Sequence, residues 1–524
     1  MKKQSYIPLI VAVSIVIGMA IGLFILGKRQ TDQSISYPKE AKINYILELI
    51  DKEYVDKTNK DSLTDDAIRA LLVELDPHSV YMTKEEVKKE NESLKGNFDG
   101  IGVQFRIIDD TIAVVRTVNG GPSEKVGIMA GDRIVKVNGR QPKNITNDTV
   151  LHLLKGKRGT KVKLGIKRKG VNHLIDYTVT RDIIQTQAVR YFGMLNSNTG
   201  YIKLEEFTAT SHEEVANALK NLKKQGMNQL IFDLRDNGGG YLDQAIAIAD
   251  EFISKGDLIV YTDGRFRGRT DAYATNGGLF EQGNLIVMIN EMSASASEII
   301  GGCVQDNDRG KIIGRRTFGK GLVQEQRNLP DGSAVRLTIA RYYTPSGRCI
   351  QRPYIKGDPD KYFEDFVNRF VNAEHDADTL THDKNLKYKT KKGRTVYGGG
   401  GIEPDITLPY SILKHSTYFN SLFKNGLIYK YCFDYVDNNR NIFKQYANGD
   451  DFLNRYNIDN IVYNDLLTFA TKSGVEVNKL SAKETEEIKQ LMKGYIAQSL
   501  YDDEYFYRLY LTLDAELKVA IANF

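Results

Sequence analysis

The feature that most constrains the fold is an alternation of strand-like and helical segments that begins near Gly200. Short apolar runs, suited to buried strands, alternate with segments whose apolar residues recur at helical spacing. The strand-like runs are Tyr201 to Leu204, Leu230 to Leu234 and Leu285 to Asn290, and the helical segments are Ser211 to Lys224, Leu242 to Ser254 and Ser297 to Gln305. This order is typical of helices layered on a mainly parallel sheet, so we expect an α/β core.

The pattern of residue types changes on both sides of this core. Helical spacing over Ala41 to Asp51 and Thr64 to Leu75 predicts a helical arm, and short Val- and Ile-rich runs separated by glycine predict a small β domain. After Pro409 the pattern is helical and rich in tyrosine. The predicted domains are residues 1–30 (membrane anchor or signal segment), 31–95 (linker and helical arm), 96–185 (β domain), 186–409 (core) and 410–524 (C-terminal helical region).

The composition argues against several classes of function. Its 41% hydrophobic and 27% charged residues are in the range of globular proteins. The 72 basic and 67 acidic residues leave a net charge of +5, which argues against a nucleic-acid partner. Cys303, Cys349 and Cys432 lie far apart and lack CxxC spacing, so we expect buried thiols rather than a disulfide framework or a zinc site.

The N-terminus carries an apolar run from Ile7 to Gly27. As a helix, at about 1.5 Å per residue, this run would cover roughly 30 Å, the thickness of a bilayer core. We expect an uncleaved membrane anchor, with a cleaved signal peptide as the alternative. Lys2 and Lys3 on one side are matched by Lys28 and Arg29 on the other, so the flanking charges do not choose an orientation.

A glycine turn opens the small β domain. Gly100, Ile101, Gly102 and Val103 stand at the start of a strand, where backbone N–H groups can converge on a carboxylate. Together with the stretch from Gly121 to Gly139, this segment resembles the PDZ domains of bacterial envelope proteases. The resemblance implies that a C-terminal peptide binds beside the strand Gly102 to Ile107, opposite a helix near Asn147 to Leu154. A PDZ-like domain without peptide affinity is the alternative.

A serine-rich segment follows the last strand-like run of the core. Ser295 and Glu298 have capping-box spacing, which places Ser295 at a helix N-cap with the Ala296 N–H free in the first turn. There a nucleophile sits in a positive dipole field, and the free N–H can hold an oxyanion. The spacing alone also allows a serine that only caps the helix, and it does not choose among Ser293, Ser295 and Ser297.

A lysine is the candidate base, because the seven histidines form no motif with a serine. Lys320 lies among small and apolar neighbours, and an extended segment after it would place Gln324 on the same face. A base near pH 7 needs a lysine pKa of roughly 7 to 8, a shift that costs about 4 kcal/mol and requires burial. The segment from Gly314 to Gly321 has the pattern G-x-x-x-x-G-K-G, which resembles a P-loop. A P-loop needs Ser or Thr at the last position, so we do not expect a nucleotide site.

The two segments together closely resemble the carboxyl-terminal processing proteases, also called tail-specific proteases, whose motifs are S-A-S-A-S-E and T-F-G-K-G-x-V-Q. The resemblance implies that Ser295 is the nucleophile, Lys320 the general base and Gln324 the residue that orients it. It also implies that Gly239 or Gly240, in the segment from Asp233 to Gly240, joins Ala296 in the oxyanion hole. Many members have proline where Gly238 stands, which leaves the donor between Gly239 and Gly240 open.

The resemblance also implies a crotonase-like α/β core with an inserted PDZ domain, working in the bacterial cell envelope. The expected protein is a serine endopeptidase, anchored in the inner membrane, that cleaves proteins recognised by their C-terminal tails, without a metal or other cofactor. Its bulk would lie in the periplasm or extracytoplasmic space. Two alternatives are an inactive PDZ peptide-binding scaffold and an acyl-CoA enzyme of the crotonase type. The sequence leaves a homo-oligomer open.

Overall fold

The computed structural model describes residues 7–29, 41–108, 110–275, 277–372, 384–476 and 478–524. The chain divides into two compact units, Met1–Leu72 and Val73–Phe524. Helices of the N-terminal part are α1 (Ile7–Arg29), α2 (Ala41–Glu53) and α3 (Lys60–Val73), so both helices predicted for the arm are confirmed. Residues 30–40, which hold most of the predicted linker, lie outside the described residues.

The predicted membrane anchor is not confirmed. Within the described ranges, no helix is both long and apolar enough to cross a bilayer.

The second unit begins with strand β1 (Val80–Met82) and helix α4 (Lys84–Lys95), followed by the small β domain. The domain contains β2 (Asn97–Gly100), β3 (Val103–Ile108), β4 (Thr111–Thr117), α5 (Pro122–Lys125), β5 (Arg133–Val137), α6 (Asn147–Leu154), β6 (Lys161–Lys167), β7 (Ile175–Thr180) and β8 (Asp182–Gln185). Strands β3 to β7 form an antiparallel sheet in chain order, and β2 pairs with β8. Val150 and Leu154 of α6 pack in the core of this domain. Strand β3 therefore lies at the edge of its sheet and shares a core with α6.

The predicted alternation of strands and helices is confirmed in the next part of the chain. Its elements are β9 (Val189–Met194), β10 (Thr199–Leu204), α7 (Ser211–Lys224), β11 (Gln229–Asp233), α8 (Leu242–Asp250), β12 (Leu258–Gly264), β13 (Gly268–Tyr273), β14 (Asn284–Ile289), α9 (Ala296–Asp306), β15 (Lys311–Gly314), β16 (Leu322–Asn328), β17 (Ala334–Tyr343), α10 (Pro359–Asn372), β18 (Lys387–Lys389), β19 (Thr395–Tyr397) and β20 (Ile406–Thr407). The central sheet has the order β20-β15-β14-β11-β10-β9. Its pairs are parallel except β9 with β10. A second, antiparallel sheet joins β1, β17, β12 and β13, with β16 on β17.

Both faces of the central sheet are buried, as is usual for a parallel sheet. In β14, Leu285, Val287 and Ile289 belong to the core that also includes residues of α7, α8 and α9. The alternate residues, Ile286 and Met288, belong to a separate core on the opposite face. The strands therefore read as continuous apolar runs, because each side chain is covered whichever way it points.

The C-terminal region is helical, as predicted. Its helices are α11 (Thr417–Lys424), α12 (Leu427–Phe443), α13 (Gly449–Arg455), α14 (Asn460–Lys472), α15 (Ala482–Leu500), α16 (Asp503–Leu513) and α17 (Ala515–Ala522). Helices α11 to α15 enclose a core of their own, which includes Cys432, Phe452 and Met492. Leu517 and Ala520 of α17 instead pack on the second face of the central sheet. The end of the chain thus completes the core.

Buried ion pairs reinforce this attachment. Arg235, two residues after β11, donates to Asp233, Asp514 and Glu516 at 2.6–2.7 Å. Arg315 pairs with Glu291 at 2.8 Å and also with Glu516. Because removing one partner of such a network leaves an uncompensated buried charge, the start of α17 is held firmly beside the loops that follow β11 and β15.

We predict that Leu517→Ala destabilises the central sheet. Leu517 is 1% exposed, and truncation of a buried leucine costs about 2 to 5 kcal/mol. Amide hydrogen exchange in β11 and β14 measures the opening free energy of this sheet. Ile461→Ala, at a side chain that is 74% exposed, is the control and should change that free energy by less than about 0.5 kcal/mol. Equal effects of the two substitutions would contradict the assignment of α17 to the core.

Candidate active site

The three segments singled out in the sequence meet at one edge of the central sheet. The glycine segment follows β11, the serine segment follows β14, and the lysine segment follows β15. These strands are neighbours and parallel, so their carboxyl ends lie side by side. Loops at this edge are the usual location of sites in open α/β sheets.

Hydrogen bonds join the glycine segment to the serine segment. The Ala294 N–H donates to the Asn237 carbonyl at 3.0 Å, and the Ser297 hydroxyl donates to the same carbonyl at 2.9 Å. The Ser293 hydroxyl donates to the Leu234 carbonyl at 2.8 Å. Ser293 and Ser297 are thus used as structural hydroxyls.

Ser295 occupies the N-cap of α9, as predicted, with φ 54° and ψ −110°. A non-glycine residue with positive φ costs about 1 to 3 kcal/mol and persists only where its surroundings hold it. The side chain is half-buried and lines a cavity. Among the described residues, no hydrogen-bond acceptor contacts the Ala296 N–H. The first turn of the helix thus presents a hydroxyl and an unused donor next to each other.

The two candidate glycine donors differ in their surroundings. The Gly239 N–H donates to the Asn237 side-chain oxygen at 2.9 Å, whereas the Gly240 N–H has no acceptor in the described part of the chain. A Cβ added at Gly239 would lie 2.9 Å from the Ser295 Cβ and 3.1 Å from the Ala296 nitrogen. Gly239 therefore lies against the serine segment, where a larger residue does not fit, while its own N–H is engaged.

Glu298 links the serine segment to the lysine segment. Its buried carboxylate accepts hydrogen bonds from the Ser295 N–H at 2.8 Å and the Lys320 N–H at 2.9 Å. It also accepts from the Gly319 N–H at 2.7 Å and the Thr317 hydroxyl at 2.6 Å. Burial raises the pKa of Glu298, and these bonds act in the opposite direction. Since all four partners donate, the ionised carboxylate is the form that satisfies them.

Tyr342 makes a second bridge between the same two segments. Its buried hydroxyl lies 2.6 Å from the Lys320 carbonyl and 3.1 Å from the Ser295 carbonyl. Burial, with the nearby Glu298 charge, raises the pKa of Tyr342 well above its ordinary value, so the hydroxyl keeps its proton and donates. Ser295 and Lys320 are thus held together through both their N–H and their carbonyl groups.

The Lys320 side chain is half-buried beside the cavity. Burial, together with the positive charge of Arg336, lowers the pKa of Lys320 below its ordinary value. The carboxylates of Glu298, Glu90 and Asp76 act in the opposite direction. Arg336 and Glu90 pair with each other at 2.9 Å, which reduces the net charge that either presents to the amine.

Gln324 also lines the cavity, but the structure does not join it to Lys320. Its side-chain amide donates to the Thr338 hydroxyl at 3.3 Å, and Thr338 donates to Asp76 at 3.1 Å. Within the described residues, no hydrogen bond connects the Lys320 amine with Gln324 or with the Ser295 hydroxyl. The predicted role of Gln324 stays a prediction.

The residues around Lys320 include some that the sequence interpretation missed. Asp76 and His78 follow the predicted helix that ends at Leu75, in an Asp-Pro-His-Ser sequence typical of a turn. Burial and the neighbouring Lys320 charge lower the pKa of His78 to about 4, so its ring is neutral near pH 7. Its Nε2 lies 3.1 Å from the Tyr362 hydroxyl. An Asp-Pro-His-Ser turn was a visible signal, but nothing local indicated that it would fold against the lysine.

The cavity in front of these groups has a volume of about 900 Å³. It is lined by Ser295, Ala296, Lys320 and the glycines from Gly238 to Gly240, together with polar residues and an apolar wall. The polar residues include Glu90, Glu206, Asp243 and Arg336, and the apolar ones include Leu242, Ile246, Ile299 and Leu322. In the described ranges, no cluster of three or more His, Cys, Asp or Glu residues could hold a metal ion.

The predicted peptide-binding turn lies at the start of edge strand β3. Gly100, Ile101 and Gly102 are buried and Val103 is half-buried. The carbonyls of Ile101 and Gly102 are used, accepting from the Ser123 and Val118 N–H groups at 3.0 and 2.9 Å. The N–H groups of the same two residues have no acceptor among the described residues. Two free donors therefore stand beside an open strand edge.

Comparisons with known proteins agree with this organisation. Four family models match the chain: an activating protease CtpB N-terminal domain (residues 25–86), a PDZ domain (100–179), peptidase family S41 (198–360) and a family of unknown function (418–502). The photosystem II D1 C-terminal processing protease, a solved structure, is 25% identical with a TM-score of 0.38, covering 73% of this chain and 90% of its own.

Two relatives are similar over most of their length. The carboxy-terminal processing protease CtpA of Bacillus subtilis is 36% identical over 361 residues, which are 68% of this chain and 77% of the relative. The carboxy-terminal-processing protease of Bartonella bacilliformis is 38% identical over 339 residues, which are 62% of this chain and 77% of the relative. The chain belongs to the carboxyl-terminal processing proteases of peptidase family S41, with a mixed α/β fold and a PDZ domain.

Proposed function

We propose that the protein is a serine endopeptidase that uses a Ser295–Lys320 dyad to cleave proteins engaged through their C-terminal tails. The observation that carries this proposal is the double bridge between the two residues. Glu298 accepts from both of their N–H groups and Tyr342 contacts both of their carbonyls, beside one cavity. A structural serine and a structural lysine would not need to be held in register in this way.

The chemistry follows from the groups that face the cavity. The Ser295 hydroxyl oxygen attacks the carbonyl carbon of the scissile peptide, and its proton passes to the neutral Lys320 amine. Collapse of the tetrahedral intermediate breaks the C–N bond, and the lysine ammonium gives its proton to the leaving amine. Water then attacks the acyl-enzyme with Lys320 again as the base, and the ester bond to Ser295 breaks as the lysine ammonium returns its proton to the Ser295 oxygen.

The oxyanion is assigned to the Ala296 N–H, which has no acceptor in the described part of the chain. One such donor contributes about 3 to 4 kcal/mol to the transition state. The Gly240 N–H is the better second candidate, because Gly239 already donates to Asn237. If the hydrogen bond from the Gly239 N–H to Asn237 opened, the Gly239 N–H would also be able to donate to the oxyanion.

The PDZ domain is proposed to hold the substrate tail. The tail would add as a strand beside β3, with its terminal carboxylate on the free N–H groups of Ile101 and Gly102. Location in the cell envelope and a membrane anchor rest on the sequence and the family resemblance alone and stay predictions.

We predict that Ser295→Ala and Lys320→Met each reduce kcat/KM on a tail-bearing protein by about 10³-fold or more. The first removes the nucleophile and the second removes the base. Ser297→Ala is the matched control, since its hydroxyl is committed to the Asn237 carbonyl, and it should keep activity within about tenfold of the parent chain, a loss of one hydrogen bond. If cleavage persisted in Ser295→Ala and were lost in Ser297→Ala, the assignment of Ser295 as the nucleophile would be wrong.

We also predict that Lys320→Met stabilises the protein at neutral pH and changes how stability depends on pH. In the parent chain the lowered pKa means that the folded state releases the lysine proton while the unfolded chain keeps it up to about pH 10.4. Parent stability therefore rises with pH between the lowered pKa and about 10.4, and Lys320→Met lacks this rise. Urea denaturation at several pH values measures the difference. Lys361→Met, at an exposed lysine of α10, should reproduce the parent slope, and an unchanged slope in Lys320→Met would show that the amine is not desolvated.

Tail recognition predicts a strict need for a free carboxylate. A peptide with an apolar C-terminus should bind the Ser295→Ala chain at least about tenfold more tightly than the same peptide with a C-terminal amide, because charge-assisted bonds to N–H groups are lost. Calorimetric titration of both peptides is the measurement. Equal affinities would place tail recognition elsewhere.

A further inference from the structure

Helices α11 to α16, residues 417–513, form the C-terminal bundle, a region that matches a family of unknown function over residues 418–502. One of its surfaces contacts the PDZ domain. Tyr429 and Phe433 of α12 form a small buried cluster with Ile108 and Ala113 of the PDZ sheet, and Val115 and Tyr495 pack against it. This cluster is separate from the core of the PDZ domain.

Strand β4 has apolar side chains on both of its faces. Ile112 and Val114 point into the core of the PDZ domain, whereas Ala113 and Val115 point to the other face and meet the bundle. Ala113 is 0% exposed although it lies on the outer face. A strand that is apolar on both faces needs a cover on each side, and the bundle supplies the second one.

Charges of opposite sign surround the cluster. On the PDZ side, the Arg106 guanidinium lies 3.8 Å from the centre of the Tyr429 ring, and that of Arg133 lies 4.9 Å from the Phe433 ring. Arg133 also lies within 3.6 Å of Asp434 and 3.9 Å of Asp437. The basic residues thus belong to the PDZ domain and the acidic ones to the bundle.

Asp503, at the start of α16, connects three parts of the chain. It pairs with Arg116 of the PDZ domain at 2.5 Å and with Arg190 of core strand β9 at 3.3 Å, and it accepts from Gln498 of the bundle at 2.8 Å. The bundle is in turn continuous with α17, which is buried on the central sheet. The PDZ domain is therefore connected to the protease core through the bundle.

We propose that the C-terminal bundle is a docking platform that holds the PDZ domain by its outer sheet face. The platform covers β4 and leaves the edge of β3, on which a tail would add, unpaired in its sheet. The position from which a bound tail leads toward the cavity is then set by the bundle. This last consequence rests on the function proposed above, whereas the docking itself does not.

The test compares the full chain with Tyr429→Ala/Phe433→Ala, which empties the interface. The matched control is Phe423→Ala, an aromatic residue of the same bundle that is 47% exposed. Amide hydrogen exchange should become faster in both β4 and α12 in the double variant and stay unchanged in the control. Arg106→Ala/Arg116→Ala, which removes two of the PDZ-domain arginines at this interface and keeps the aromatic residues of the bundle, should give a smaller change in the same two elements.

Two substrates give a second measurement. The double variant should lose at least about fivefold in kcat/KM on a tail-bearing protein, because the effective concentration of the tethered chain falls. On a short amidated peptide that cannot engage the PDZ domain, it should stay within about twofold of the parent.

Unchanged exchange in β4 and α12 would overturn the docking proposal, and equal losses on the two substrates would overturn its consequence for the position of a bound tail. Failure of the parent chain to cleave either substrate would instead count against the catalytic proposal, because the exchange experiment requires no catalysis.

Discussion

The site depends on one buried carboxylate. Glu298 lies in the first turn of α9 and accepts from Ser295, Thr317, Gly319 and Lys320, so a single side chain fixes the start of a helix and the loop after the adjacent strand. The geometry works because β14 and β15 are parallel and their loops leave the sheet on the same edge. A carboxylate is the side chain that can accept four such bonds. An amide in its place would turn one acceptor into a donor and leave buried N–H groups unpaired.

The hydrogen bonds of Glu298 also bear on the proposed role of Lys320 as the base. The Glu298 carboxylate accepts from backbone N–H groups and a hydroxyl, and among the described residues no carboxylate forms an ion pair with the Lys320 ammonium. Burial then dominates and lowers the pKa of Lys320. Tyr342, by contacting both carbonyls, keeps the two segments in register without adding charge. Ser295 and Lys320, the proposed nucleophile and base, are therefore positioned mainly through their backbones.

Local patterns predicted much of this fold. The alternating segments predicted the central α/β layer, α7 was predicted at its observed bounds, and the capping-box spacing placed Ser295 at the N-cap of α9. These successes rest on periodicity and on helix-end chemistry, which are local. The sequence itself indicated Lys320 as a candidate base, but Ser295 could be chosen over Ser293 and Ser297 only through the family resemblance, because their spacing does not distinguish them.

Contacts between distant parts of the chain could not be predicted. The Tyr342 bridge, the Asp76–Thr338–Gln324 chain and the burial of α17 on the central sheet each join residues far apart in sequence. The C-terminal helices were predicted as a region separate from the core, but they cover the second face of the sheet and one face of the PDZ domain. A continuous apolar strand indicates that both faces are covered without indicating by which segment.

The most direct test of the account is the titration of the Lys320 amine itself. In the Ser295→Ala chain with labelled lysine side chains, the Lys320 resonance can be assigned by its absence in Lys320→Met and followed with pH by NMR. The account predicts a midpoint clearly below the ordinary lysine value of about 10.4. A midpoint at or above that value would mean that the amine stays charged at neutral pH, and Lys320 could then not be the base for Ser295.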